Sequence, residues 1–279
     1  LMDRELRDVF IPAYQIKACK EKFGKTYRYT PQHQYRGTCV GQSHKSLVDQ
    51  TNAVWRFIGG GKFEGLSAVC TGYAGSRVEI AGWVSRSDGS NGSWIAEWLT
   101  KKRGTGGVVL LKSLGLDEFD QRQDEKYATD WAASRQGVPS EFEDVARIRP
   151  LKNASLILTV PELQAAIQNL QPVNICTPYI PSPRRNSDGV SAVSRQGGHS
   201  TLICGMRKIG RRWVYPYLQS WGNWATGNYG WDKFDPEGHY RTSIVDLEER
   251  DIERILQSRD CYTFFGPQGV EPISKRYWI

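Results

Sequence analysis

The sequence predicts an α+β chain with two lobes, helical in its first half and β-rich in its second. Three observations predict this. Apolar residues recur at helical spacing through the first half, most clearly between Cys39 and Ile58. After about residue 170 the texture changes to short runs rich in β-branched and aromatic residues, cut by Gly and Pro. The chain has 279 residues, 39% of them hydrophobic and 11% aromatic, which is enough to close a large core without staples.

The elements follow in order. Val40, His44, Leu47, Val48, Thr51, Val54, Trp55 and Ile58 mark one face of a helix from about Cys39 to Phe57, closed by Gly59, Gly60 and Gly61. A second helix reads from about Ser93 to Lys102, with Trp94, Ile95, Trp98 and Leu99 inward and Asn91 or Ser93 as its cap. Ser140 with Glu143 forms a capping-box pattern. Thr159 with Glu162 forms another, with Pro161 in the first turn and Leu163, Ala166, Ile167 and Leu170 as the buried face. The segments PVNICTPYI, HSTLICGM, WVYPYLQSW and CYTFFG read as strands. Residues 182–198 are polar and Gly/Ser-rich, and read as an exposed loop feeding a strand that starts at His199. There is no internal repeat or low-complexity stretch.

Composition excludes several function classes. No apolar run reaches the length of a membrane span, and the charged start LMDRELRDVF lacks the apolar core of a secretory signal. The net charge of +7 permits an acidic partner but does not require one. The basic cluster Arg207, Lys208, Arg211 and Arg212 around Gly210 reads as a solvated hairpin tip, so nucleic acid is not the expected partner. The six cysteines are widely spaced with no C-x-x-C pair, so no zinc site or other metal is expected. With a core this large, most read as reduced, buried thiols.

Cys39 raises the question of function. It stands in RGTCVGQS, at the mouth of the first long helix. A thiol there is either packed or, favoured as thiolate by the helix N-terminus, a nucleophile. A nucleophilic thiol needs a base, a group to orient the base, and a site for the developing oxyanion. Of the four histidines, His44 lies on the apolar helix face and reads as a core residue, while His239 falls in the turn DPEGHY. His199 follows Gly197 and Gly198 and opens an apolar strand, an unusual place for a purely structural histidine.

The order RGTCVGQS before a helix, GGHSTLICG at a strand and YLQSWGNW after the next strand resembles the papain-like cysteine peptidases. DGSNGSWIAEWL is similar to that family's Gly-Asn-Gly turn and second helix, and TVPELQAAIQNLQPVNIC to the helix and strand ahead of its histidine. The resemblance covers roughly residues 30–265 and is nearest to phage and bacterial variants. It implies a two-lobed papain-like fold with the active site in the cleft: an N-terminal extension over 1–30, a helical lobe with the nucleophile helix over 31–135, and a β-rich lobe with the histidine strand over 136–279.

The resemblance also implies roles. Cys39 would be the nucleophile, His199 the base, Gln219 the orienting carboxamide and Trp221 the shield over that contact. Here Gln219 stands where the family has Asn. The family's oxyanion Gln falls on His33, with Gln32 and Gln34 beside it. Gln34 is the preferred oxyanion donor and His33 the alternative. Arg36 replaces a cysteine found in secreted members, which removes a typical disulfide and places a cation near Cys39. The expected activity is hydrolysis of peptide or isopeptide bonds in a polypeptide substrate, with no cofactor, in a reducing cytoplasm or a phage virion. The competing expectation is a weak or inactive papain-like module that serves as a structural component among phage proteins.

Overall fold

The computed structural model describes residues 6–84, 89–100, 106–118, 121–149 and 151–267. Helix α1 (Pro12–Phe23) and strand β1 (Val9–Phe10) lie in the stretch read as an N-terminal extension. Ile16, Ala18 and Cys19 of α1 are buried, and α1 packs along α2 (Cys39–Ile58). β1 pairs with β5 (Gly205–Ile209), so residues 9–23 touch both the helical and the β elements.

The spacing of α2 gives it one apolar face, but the structure encloses almost all of its first four turns. Gln42, Ser43, Lys45, Ser46, Asp49 and Gln50 are buried beside Val40, Leu47 and Val48. The buried charge is paired on the spot. Lys45 Nζ donates to Asp49 Oδ2 at 2.9 Å and to Ser67 O at 2.6 Å, and Asp49 Oδ1 accepts from Ser67 N and Oγ. Only the last turn emerges, which leaves Ile58 exposed rather than on the apolar seam.

Beyond α2 come α3 (Val69–Gly75), which runs on as a π-helical turn over 76–80, and α4 (Gly92–Leu99). Asn91 caps α4, its Oδ1 accepting from Ser93 N at 3.0 Å; the expected end at Lys102 lies outside the described residues. α5 (Gln121–Ala133) follows, then α6 (Ser140–Ile148). The capping box expected for α6 is absent. Ser140 is already the first helical residue, and Pro139 at the cap has no side-chain oxygen to offer. In α7 (Val160–Gln168) the expected box forms: Thr159 Oγ1 accepts from Glu162 N at 3.3 Å and Glu162 Oε2 from Thr159 N at 3.0 Å.

The remaining strands are β2 (Leu151–Leu156), β3 (Val173–Pro181), β4 (Val193–Ile203), β6 (Arg212–Leu218), β7 (Ile244–Glu248) and β8 (Cys261–Pro267), with α8 (Glu249–Leu256) between the last two. They form one antiparallel sheet in the order β1-β5-β6-β4-β3-β8-β2, with β7 on β6. α2 packs against β4, β3 and β8, so Cys39 at its N-terminus meets the sheet. β4 begins six residues before His199. Val193, Ser194 and Arg195 pair with Pro181, Ile180 and Tyr179 of β3, and Ser194 to Gly198 are exposed, so polar composition hides the strand. The true loop is 182–192. HSTLICGM breaks at Cys204 into the end of β4 and the start of β5.

The basic cluster does sit on a hairpin, between β5 and β6, where Ile209 pairs with Arg212. Arg207 is not solvated, however. Its side chain is 14% exposed and its Nη2 lies 2.6 Å from buried Asp246 Oδ2. Arg212 pairs with Asp188 and Glu248. Among the described residues no helix is long and apolar enough to cross a membrane.

Candidate active site

Two loops and two secondary-structure ends converge here. The loop 33–38 delivers Cys39 into the first turn of α2, where backbone N–H groups have no helical partner. Thr38 does not cap the helix with its side chain. Its Oγ1 donates instead to Glu125 Oε1, and the same carboxylate accepts from Tyr35 N at 2.8 Å and Arg36 N at 3.1 Å. Glu125 is 2% exposed, so one buried carboxylate from α5 fixes the loop that carries the thiol. The sequence reading missed it. The only signal was a pair of acids, Asp124 and Glu125, on the face of α5 that also carries Ala128 and Ala132.

His199 is the seventh residue of β4, at the point where the strand passes from exposed to buried. Its Nε2–H donates to Gln219 Oε1 at 2.6 Å. That assigns the other nitrogen, Nδ1, as the basic one in the neutral ring. The Trp221 ring lies over the imidazole with centroids 4.5 Å apart. Gln219 is held by its own N–H to Ser243 O at 2.8 Å, and its Nε2 is buried without a hydrogen-bond partner. An orphaned amide of this kind costs about 1–3 kcal/mol, and the orienting contact is retained in spite of it.

The Cys39 thiol faces the backbone amide of Ser200, the residue next to His199 on β4. Among the described residues no hydrogen bond joins the Cys39 sulfur to the imidazole. Burial pushes the thiol above its ordinary range, and the amides of Ser200, Val40 and Cys39 oppose that shift. Arg36 is exposed and its charge is not among the influences on the thiol, so the cation expected to favour the thiolate does not do so. Burial likewise lowers His199 to about 4, with the Gln219 contact opposing. Both groups therefore rest neutral near pH 7.

Gln34 is half-buried and anchored to the segment that carries Gln219. Its N–H donates to Ser220 O at 2.8 Å, its Oε1 accepts from Ser220 Oγ at 2.6 Å, and its Nε2 donates to Arg36 O at 3.2 Å. An amide nitrogen carries two hydrogens, which leaves one to offer. Gln32 turns into the protein, its Oε1 accepting from Ser46 Oγ at 3.0 Å. His33 is exposed and stacks on Tyr35 at 4.6 Å. It bridges to Trp221, and Gly222 follows at φ +66, where a side chain would be strained and would press on the His33 ring. The Trp-Gly pair thus has a local cause: Trp221 covers the imidazole, and Gly222 turns the chain back to donate its N–H to Gln32 O at 2.7 Å.

The other two histidines stand apart. His44 is buried, donates Nδ1–H to Val40 O at 2.8 Å and meets Phe264 edge-on, as a core histidine does. His239 is buried against Asp235. All six cysteines are free thiols. Among the described residues no group of His, Cys, Asp and Glu is arranged to hold a metal ion.

No protein-family model and no curated protein matches the chain in sequence. Solved structures do match in fold. Xylellain, a cysteine protease from Xylella fastidiosa, aligns with a TM-score of 0.60 at 14% identity over 93% of this chain and 86% of its own. A procathepsin B from Trypanosoma congolense gives 0.57 at 10% identity over 96% and 80%. A digestive procathepsin L from Tenebrio molitor larval midgut gives 0.53 at 11% identity over 94% and 71%. At these identities the likeness is one of fold: the chain has the α+β fold of the papain-like cysteine proteases.

Proposed function

We propose that the protein is a papain-like cysteine peptidase that hydrolyses peptide or isopeptide bonds in a polypeptide substrate, using Cys39, His199 and Gln219. The observation that carries this reading is the His199–Gln219 hydrogen bond of 2.6 Å under Trp221, with the Cys39 thiol against the next residue of the same strand. His199 Nδ1 takes the thiol proton as the sulfur attacks the carbonyl carbon. The negative charge moves to the carbonyl oxygen, where the Cys39 N–H at the helix start and the remaining Gln34 Nε2–H are the donors. The imidazolium then protonates the leaving amine, and water, deprotonated by His199, releases the acyl group. Gln219 holds the ring in this tautomer, and Trp221 keeps water from that bond. The six free thiols support a reducing compartment.

A second reading is a weakly active module used in assembly, for example within a phage particle. The observation on its side is that, among the described residues, no hydrogen bond joins the Cys39 sulfur to the His199 ring, which bonds Gln219 instead. Wild type and Cys39→Ala, compared on a peptide library and on cell-wall fragments, separate the two. Cleavage by wild type alone supports the peptidase. Absence of cleavage by both supports the assembly module.

A further inference from the structure

A second thiol, Cys176, approaches the same residue as the Cys39 thiol, Ser200, and peptide hydrolysis does not need it. Four of the six cysteines are buried, and only Cys39 and Cys176 are partly accessible. These two flank one residue. The Cys39 sulfur faces the Ser200 amide, and Cys176 Sγ lies 3.3 Å from Ser200 Oγ.

The backbone explains the pairing. Cys176 on β3 stands directly opposite Ser200 on β4, so their side chains share a face of the sheet. That face receives α2. Ser43 Oγ sits 2.7 Å from Ser200 Oγ and accepts from Asn174 Nδ2 at 2.6 Å. Cys39 is one turn before Ser43 on the same side of α2, and Cys176 is two residues beyond Asn174 on the same side of β3. One step along each element from the Ser43–Asn174 contact leads to the two thiols, both packed on the same core cluster. Glycine completes the enclosure: a Cβ on Gly92 would come within 2.9 Å of the Cys176 sulfur.

We infer that Cys39 and Cys176 form a redox pair, in which Cys176 captures a peroxide-oxidised Cys39 as a disulfide and protects it from irreversible oxidation. The thiolate of Cys39 attacks one oxygen of hydrogen peroxide. An S–O bond forms, the O–O bond breaks, and hydroxide leaves to become water, giving the sulfenic acid. The Cys176 thiolate then attacks the Cys39 sulfur; the S–S bond forms, the S–O bond breaks, and a second water leaves. The two thiols lose two electrons and the peroxide gains them. Burial raises Cys176 well above the ordinary thiol range, so this second step is the slow one. The consequence for activity, a reversible block of the nucleophile, rests on the peptidase reading; the cross-link itself does not.

The test treats the full chain with hydrogen peroxide, alkylates the remaining thiols with iodoacetamide, digests without reductant and reads the peptides by mass spectrometry. The expected result is a Cys39–Cys176 cross-linked pair that dithiothreitol separates, with the four buried thiols still free after denaturation. Two results would overturn it: Cys39 carried to sulfinic or sulfonic acid while Cys176 takes iodoacetamide, or Cys39 left unoxidised. In Cys176→Ser the same treatment should drive Cys39 past the sulfenic stage, so that dithiothreitol no longer restores its thiol. If the cross-link forms in a wild-type protein that cleaves no peptide, the redox pair stands and the peptidase reading falls.

Discussion

Two histidines in this molecule are held from behind by a buried side-chain oxygen, and they differ in what stands in front. His199 donates Nε2–H to Gln219 Oε1, lies under Trp221, and has the Cys39 thiol at the next residue of its strand. His239 lies 3.0 Å from Asp235 Oδ1 through Nδ1, and Asp235 also accepts from Tyr229 Oη at 2.8 Å and Tyr240 N at 2.9 Å. The second pair has the stronger acceptor, a carboxylate, yet its Nε2 faces Glu237 Oε2 at 3.7 Å and no thiol. An oriented imidazole is therefore not itself a site. The neutral carboxamide at His199 fixes ring orientation without fixing charge, and on the proposed reading the adjoining thiol is the group that the ring serves. The carboxylate at His239 ties the 229–240 segment together.

The largest effects should separate these two regions. Cys39→Ala and His199→Ala should each lower kcat/KM by about 10³-fold or more, with the double variant no worse than either, because members of one catalytic unit are not additive. His239→Ala should leave kcat/KM within about threefold and instead destabilise the fold by about 1–3 kcal/mol, read by urea unfolding. Loss of hydrolysis in His239→Ala with stability intact would reverse the assignment.

Next comes the orienting pair. Gln219→Ala should reduce kcat by about 10²-fold with KM little changed, since Gln219 acts through the ring. Trp221→Ala should cost less, about tenfold, by admitting water to the His199–Gln219 bond.

How far this contrast could be read from sequence depends on how local each signal is. Cys39, His199 and Gln-Ser-Trp-Gly each carry a mark within a few residues, namely a helix start, a Gly-Gly ahead of an apolar run, or a turn that demands glycine at Gly222. Chain order then joined them. Glu125 carries no such mark, because its partners lie 87–90 positions away and a buried glutamate resembles any helix glutamate. β2 reads KNAS over exposed and half-buried positions at an edge, and β7 is only five residues long, so neither shows a clear alternation. The outer half of β4 was hidden because Ser194 to Gly198 are exposed. Helix α2 misled in the opposite sense. Its polar face looks solvent-facing, and only the pairing of Lys45 with Asp49 and of Ser43 with Ser200 explains why it is enclosed.

A smaller effect should appear in acid. Burial lowers His199 from 6.5 to about 4 and His44 from 6.5 to about 3. The unfolded chain binds these protons first, so stability is full above pH 6.5 and falls as pH drops toward the folded-state values. Between pH 7 and pH 5 each histidine should contribute a loss on the order of 2 kcal/mol. His44→Leu should remove about half of that combined dependence while leaving the pH–activity profile in place. His199 instead sets the acid limb of kcat/KM, which should lie below pH 6.5. An unchanged pH dependence of unfolding in His44→Leu would show that the core histidine is not held neutral.

The central claim, that Cys39 and His199 act as one chemical unit, is tested most directly by the rate at which iodoacetamide alkylates Cys39. Cys176 is the internal standard, being the other thiol that is only partly buried. Near pH 7 Cys39 should react at least about tenfold faster than Cys176, and His199→Ala should lower the Cys39 rate at least about tenfold, because the ring accepts the proton as the sulfur attacks. Equal rates in the wild-type protein, or a Cys39 rate untouched by His199→Ala, would contradict it.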